Sequence, residues 1–128
     1  RHTRYWRDWS SDVCSSDLNL CRVADRGLRE IEGVRVIGPG PEKKGGIVSF
    51  VIDKVHSHDV AHQLDTAGIA VRAGHHCTMP LHKALRLNST TRASFYLYNT
   101  VDEVHQLIDA VRELQIKFAP SGRKRRRR

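Results

Sequence analysis

The chain has 128 residues, 39% of them hydrophobic, which suits one small domain with its own core and excludes a large two-domain enzyme. Its net charge of +8 is mostly terminal: Arg123–Arg128 supply six positive charges, residues 1–18 are balanced, and residues 19–122 hold 13 basic against 11 acidic side chains. The part that can fold is therefore not a strongly basic nucleic-acid binder, and no apolar run approaches the roughly 20 residues that a membrane-spanning helix needs.

Residues 1–18, RHTRYWRDWSSDVCSSDL, show no usable periodicity. The stretch SSDVCSSDL resembles a sequencing adapter translated in frame, so residues 1–18 are expected to be a non-native leader, with Cys14 set aside as a site. A natural flexible leader is the alternative. The first residues also lack the apolar stretch of a secretory signal, which makes a cytoplasmic location the expectation.

From residue 19 the pattern is regular. Leu20, Ala24, Leu28 and Ile31 recur at helical spacing, with Gly33 as a stop signal. Val34 to Ile37 reads as a short strand, Gly38-Pro39-Gly40-Pro41 as a loop and Ile47 to Ile52 as a β-branched strand. Ser57 is the expected N-cap of a helix through Ala67, ended by Gly68. Ile69 to Arg72 follows as a strand, Leu81 to Leu85 as a short helix, and Ala93, Phe95 and Leu97 alternate with Ser94, Tyr96 and Tyr98 as a further strand. Thr100 and Glu103 form a capping box before a helix whose inner face is Val104, Leu107, Ile108, Val111, Leu114 and Phe118. This order predicts an α+β fold, a mostly antiparallel sheet covered by helices on one face. Residues 120–128 are expected to be a basic disordered tail.

Three cysteines, Cys14, Cys21 and Cys77, at irregular spacing suggest neither a disulfide framework nor a zinc ribbon. The chemistry concentrates in Arg72-Ala73-Gly74-His75-His76-Cys77-Thr78-Met79-Pro80, a glycine-hinged loop with a thiol, two imidazoles and a guanidinium. A thiol attacks as its anion, and neighbouring Arg and protonated His favour the anion. A buried structural Cys with His side chains on backbone carbonyls is the competing reading. His56, His58 and His62, with His75, His76, Cys77 and His82, also offer a zinc set, although the spacing is only weakly metal-like. Arg92 has the planar fork that suits a small carboxylate, or else pairs with an acidic side chain at a strand end.

Taken together, GGIVSFVID, HSHDVAHQLDTAGIAVRAGHHCTMPL and TTRASFYLYNTVDEVHQLIDAV resemble the C-terminal part of SufS-type (group II) cysteine desulfurases, a branch of the class V aminotransferase superfamily. The resemblance covers residues 19–118. It implies the small C-terminal domain of a fold type I transferase, which uses pyridoxal 5′-phosphate to convert L-cysteine to L-alanine for iron–sulfur cluster assembly, with a persulfide forming on Cys77. Under it, Arg92 matches the arginine for the substrate carboxylate, Arg72 lies near the cysteine loop, and His75 and His76 match loop histidines that tune or relay protons. His58 matches a position that can engage the zinc of a U-type sulfur acceptor. The implied partners are L-cysteine, an acceptor protein of the SufE or SufU type, and a second copy in a homodimer, with no membrane and no nucleic acid.

The family's upstream domain, with its Schiff-base lysine, has no counterpart here, and Lys43, Lys44, Lys54, Lys83 and Lys117 are all in other contexts. Residues 19–119 thus read as the C-terminal domain of a truncated gene, with no cofactor-binding residue of its own. A standalone sulfur-carrier or zinc-binding module is the alternative. Nucleic-acid binding through the terminal basic run is a third reading, and it predicts steep salt dependence.

Overall fold

Val48, Phe50 and Ile52 point to one side of a strand and are sealed from solvent, while Ile47, Ser49 and Val51 on the other side are not. That alternation fixes the architecture, because only one side of the sheet then has a hydrophobic layer to cover. The computed structural model describes residues 2–118, with side chains from Ser16 onward. The expected tail at 120–128 lies outside the described residues.

The elements run α1 (His2–Arg29), β1 (Val34–Ile37), a 3-10 turn (Pro41–Lys43), β2 (Ile47–Ile52), α2 (Ser57–Thr66), β3 (Arg72–Gly74), α3 (Met79–Ala84), β4 (Thr90–Ser94) and α4 (Val101–Phe118). The four strands form one antiparallel sheet in the order β1-β2-β4-β3. The α+β fold expected from the sequence is the fold observed. Leu20, Ala24 and Leu28 of α1, Val60 and Leu64 of α2, and Val104, Leu107, Ile108, Val111 and Leu114 of α4 form one core with Val48, Phe50 and Ile52. Complete burial of Leu28, Phe50 or Leu64 contributes about 1.5–3 kcal/mol each.

α1 is continuous from His2 through Arg29, so the helical pattern read from residue 19 continues a longer helix. Its Gly27 lies against Ile108 of α4, and an added Cβ would collide with the Ile108 side chain. Asp25 is wholly buried in this helix and is held by Arg29 and Lys44, each at 2.5 Å. Burial alone would raise its carboxyl, but the hydrogen bonds from Arg29 and Lys44 prevail and hold it below the ordinary carboxylate value.

Three local expectations change. The N-cap of α2 is His56, whose Nδ1 accepts the His58 backbone N–H at 3.3 Å; Ser57 is the first helical residue, and its buried hydroxyl is bonded to that of Ser89. The third strand is Arg72–Gly74, not Ile69 to Arg72, because the Ile69 N–H is spent on the carbonyl of Leu64 at the end of α2. The alternation through Tyr98 does not continue as strand. β4 ends at Ser94, and the chain turns as the Asn99 N–H bonds to the Tyr96 carbonyl while the Asn99 side-chain oxygen accepts the Tyr96 N–H. The capping box stands as read: the Thr100 hydroxyl accepts the Glu103 N–H and the Glu103 carboxylate accepts the Thr100 N–H.

Candidate active site

The open side of the sheet carries the arginines. Register places Ile37, Ser49, Arg92 and Arg72 in one row across β1, β2, β4 and β3, so Arg92 stands directly opposite Arg72 on the face away from the core. Two like charges facing each other across a strand pair destabilise it unless something anionic lies between them. Arg92 is half-buried, and its Nε is buried with no hydrogen-bond partner. An unsatisfied buried donor on a guanidinium is costly, and a carboxylate would satisfy it.

Immediately after β3 the chain reverses at His75–Thr78. The Thr78 N–H bonds to the His75 carbonyl at 2.8 Å, and both central residues have positive φ, His76 at 50° and Cys77 at 62°. That is a type I′ turn, a geometry that normally selects Asn-Gly. Gly74, at φ 134°, precedes it and alone meets its own requirement without strain. Holding His and Cys in the left-handed region costs on the order of 1–2 kcal/mol per residue, and such strain concentrates where a side chain must be presented in a set direction. Here the presented side chain is Cys77, which is exposed.

What holds the turn is His82 of α3, a residue whose role the sequence did not disclose. It is 5% exposed. Its Nδ1 lies 3.0 Å from the Thr78 carbonyl, which can only accept, so Nδ1 carries the proton and Nε2 accepts the Thr90 hydroxyl at 3.1 Å. The Thr78 hydroxyl in turn donates to the His75 carbonyl at 2.7 Å, and the His75 ring meets His82 edge-on at 5.3 Å. The far end of the turn is thereby tied to the first residue of β4.

His76 is assigned by the same logic. Its Nε2–H donates to the Thr90 carbonyl at 3.1 Å, leaving Nδ1 with the lone pair. Burial holds its pKa below the ordinary imidazole value. The hydrogen bond to Thr90 opposes that shift, and the charges of Arg92 and Arg72 add to it. The neutral form of His76 is thereby favoured, with Nδ1 carrying the lone pair beside two permanent cations.

Cys77, His75, His76, Arg72 and Arg92 thus belong to one edge of the open face. His58 sits apart on the first turn of α2, its ring 5.1 Å from that of His56. Among the described residues no group of three or more His, Cys, Asp or Glu side chains is placed to hold a metal ion, so the zinc set suggested by spacing is not assembled. Cys21 has no part in the site. It is wholly buried against the Ile47 carbonyl, and burial pushes its thiol up.

The residues present do not fit a pyridoxal phosphate bed. Lys44 is committed to Asp25 and Lys117 to Gln63, and Lys43, Lys54 and Lys83 are exposed. A Schiff-base lysine needs a desolvated position among the reacting groups, and none of these five has one.

The family model described as Aminotransferase class-V matches residues 7–107. A probable cysteine desulfurase 2 of Mycobacterium leprae is 54% identical over 100 residues, 77% of this chain and 24% of that protein. A probable cysteine desulfurase of Staphylococcus aureus is 49% identical over 103 residues, 80% of this chain and 25% of that protein. Among solved structures, the apo cysteine desulfurase of Thermococcus onnurineus superimposes with a TM-score of 0.82 at 39% identity, covering 89% of this chain and 29% of that one. The Escherichia coli cysteine desulfurase in an S-sulfonic acid form gives 0.74 at 30% identity, covering 86% and 28%. The chain spans about a quarter of the length of the curated relatives it matches. With a strained, exposed thiol and a facing pair of arginines on a sheet of matching shape, the chain belongs to the class-V aminotransferase family.

Proposed function

We propose that residues 19–119 are the C-terminal domain of a SufS-type cysteine desulfurase and carry its nucleophile and substrate clamp, while residues 1–18 are a non-native leader and 120–128 a basic appendage. The observation that carries this reading is the register pair Arg72 and Arg92, whose unpartnered Nε awaits an anion at the foot of the turn that presents Cys77.

In this reading the carboxylate of L-cysteine is gripped by Arg92, with Arg72 adding charge. His76 Nδ1 takes the Cys77 proton, and the thiolate attacks the substrate Sγ. A sulfur–sulfur bond forms on Cys77 as the substrate Cβ–Sγ bond breaks, and the carbon fragment leaves as L-alanine after protonation. Pyridoxal 5′-phosphate supplies the electron sink for such a cleavage, and it is to be held by the remainder of the parent protein. His75 lies next to the turn as a second proton carrier. The persulfide then passes to an acceptor of the SufE or SufU type for iron–sulfur cluster assembly in the cytoplasm, and His58, exposed on α2, meets the zinc of a U-type acceptor. The parent acts as a homodimer.

The test is a chimera in which residues 19–118 replace the matching segment of the Staphylococcus aureus relative. Alanine released from L-cysteine and a mass gain of one sulfur on Cys77, both lost in Cys77→Ala, are expected. A chimera that holds the cofactor by its visible absorption yet yields no alanine overturns the reading.

A further inference from the structure

The stretch from Thr66 to Val101 contains no acidic residue, although it carries Arg72, Lys83, Arg86 and Arg92. The acidic side chains of the remaining fold lie outside it, and the ion pairs among the described residues are those of Asp25 and Asp109. Lys83 and Arg86 are exposed, with no carboxylate of the described chain upon them. Together with His75, Met79, His82 and Leu87 they line an open depression of about 490 Å³ directly beyond the Cys77 turn.

Arg86 is in a conformation its side chain disfavours. α3 ends in a Schellman motif, the Arg86 N–H bonding to the Lys83 carbonyl at 3.1 Å and the Leu87 N–H to the His82 carbonyl at 2.9 Å. This places Arg86 at the position where helices use glycine or asparagine, with φ at 55°. A cation is thus kept at a site where local stability favours a different residue, which points to a role outside the fold.

We propose that this depression is the docking surface for an acidic polypeptide whose thiolate attacks the outer sulfur of the Cys77 persulfide, the new sulfur–sulfur bond forming as the bond to Cys77 breaks and Cys77 leaves as thiolate, with Lys83 and Arg86 as the residues that select it. The proposal rests on the desulfurase reading for its purpose, and on charge and shape for its location. Any nucleophile that reaches the Cys77 sulfur must settle on the surface beside it, and that surface is cationic. Met79, 62% exposed, adds apolar contact, and Met adapts readily to a partner's side chains. An open bowl with an apolar rim suits a polypeptide surface better than a small anion, which needs enclosure.

The test is disulfide exchange in a Cys14→Ser background, where Cys77 is the exposed thiol and Cys21 is buried. The probes are two nonapeptides with a central cysteine capped by thionitrobenzoate, one with six glutamates and the other with six glutamines. The Cys77 thiolate attacks the peptide sulfur, the new disulfide joins peptide to protein, and thionitrobenzoate leaves with the electron pair of the broken bond. At low salt the acidic probe is expected to react about tenfold or more faster than the neutral one, as electrostatic steering allows. Lys83→Glu with Arg86→Glu is expected to abolish or invert the ratio. Arg86→Gly, which relieves the backbone while removing the charge, reduces it in a chain whose fold is not at risk. Replacing Arg123–Arg128 by serines is expected to leave the ratio high. A ratio near one in the parent chain, or a preference that disappears with the terminal basic residues, overturns the proposal. The exchange requires neither cofactor nor L-cysteine, so it can fail while the chimera succeeds, and the reverse.

Discussion

Arg72 and Arg92 face each other in register across β3 and β4 on the side of the sheet that the helices leave open. In the isolated chain their repulsion is a standing cost. Arg72→Gln is therefore expected to raise stability by about 0.2–1 kcal/mol at low ionic strength. The gain should shrink in ~1 M salt, where the Debye length is about 3 Å. Urea denaturation at the two salt levels measures it, and a loss of stability on substitution would show that the two guanidinia do not repel.

The turn that presents Cys77 is strained in a way glycine relieves. Cys77→Gly is expected to stabilise the fold by about 0.5–1 kcal/mol while removing the nucleophile, a direct trade between stability and chemistry. Thermal unfolding checks the sign. A destabilised variant would mean that the thiol makes contacts worth more than its backbone costs.

His76 gives a signed pH dependence. Its pKa is lowered in the folded state from an ordinary value of 6.5, so the unfolded chain takes up a proton that the folded chain resists. Its contribution is fully present above about pH 6.5 and is lost as the pH falls below that value toward its folded pKa. Asp25, also lowered, acts in a separate window below its ordinary value of 3.8, losing its contribution as the pH falls toward its own folded pKa. His76→Gln should flatten the stability profile between about pH 7 and pH 5 and leave the acid limb in place. An unchanged slope across that interval would assign it to another histidine.

Asp25 with Lys44 and Arg29 is a buried polar cluster of the helix layer. Asp25→Ala leaves Lys44, whose side chain is 8% exposed, without its counter-charge, and is expected to cost about 3–5 kcal/mol. The double variant Asp25→Leu with Lys44→Met should recover most of that loss, since an apolar pair needs no compensation. Equilibrium unfolding of the two variants decides it, and equal losses in both would show that packing rather than charge is at stake.

The sequence disclosed what periodicity and capping control. β1 and β2 fall where Val34–Ile37 and Ile47–Ile52 alternate, and Thr100 with Glu103 starts α4 as its spacing implies. It misled where alternation lacked a partner strand: Tyr96 and Tyr98 have strand spacing, yet Asn99 folds that segment back on itself. At the site, Cys77, His75, His76, Arg72 and Arg92 could be nominated by residue type. The facing of Arg72 and Arg92 could not, because it depends on a register across strands 20 residues apart. His82 was legible only as a member of the weak zinc set. Its work lies in hydrogen bonds to Thr78 and Thr90 that only the folded chain brings within reach. Arg86 was invisible for a related reason, since a left-handed helix end is ordinarily announced by glycine.

The two thiols at positions 21 and 77 equip the domain with an internal clock. Cys77 stands in solvent and reacts at once with an alkylating reagent, while Cys21, on α1 and packed against the start of β2, reacts only when α1 lifts from the sheet. In the absence of Cys14, two labelling phases should be recorded from one sample, and the ratio of the slow rate to that of an unfolded cysteine reports the free energy of that opening.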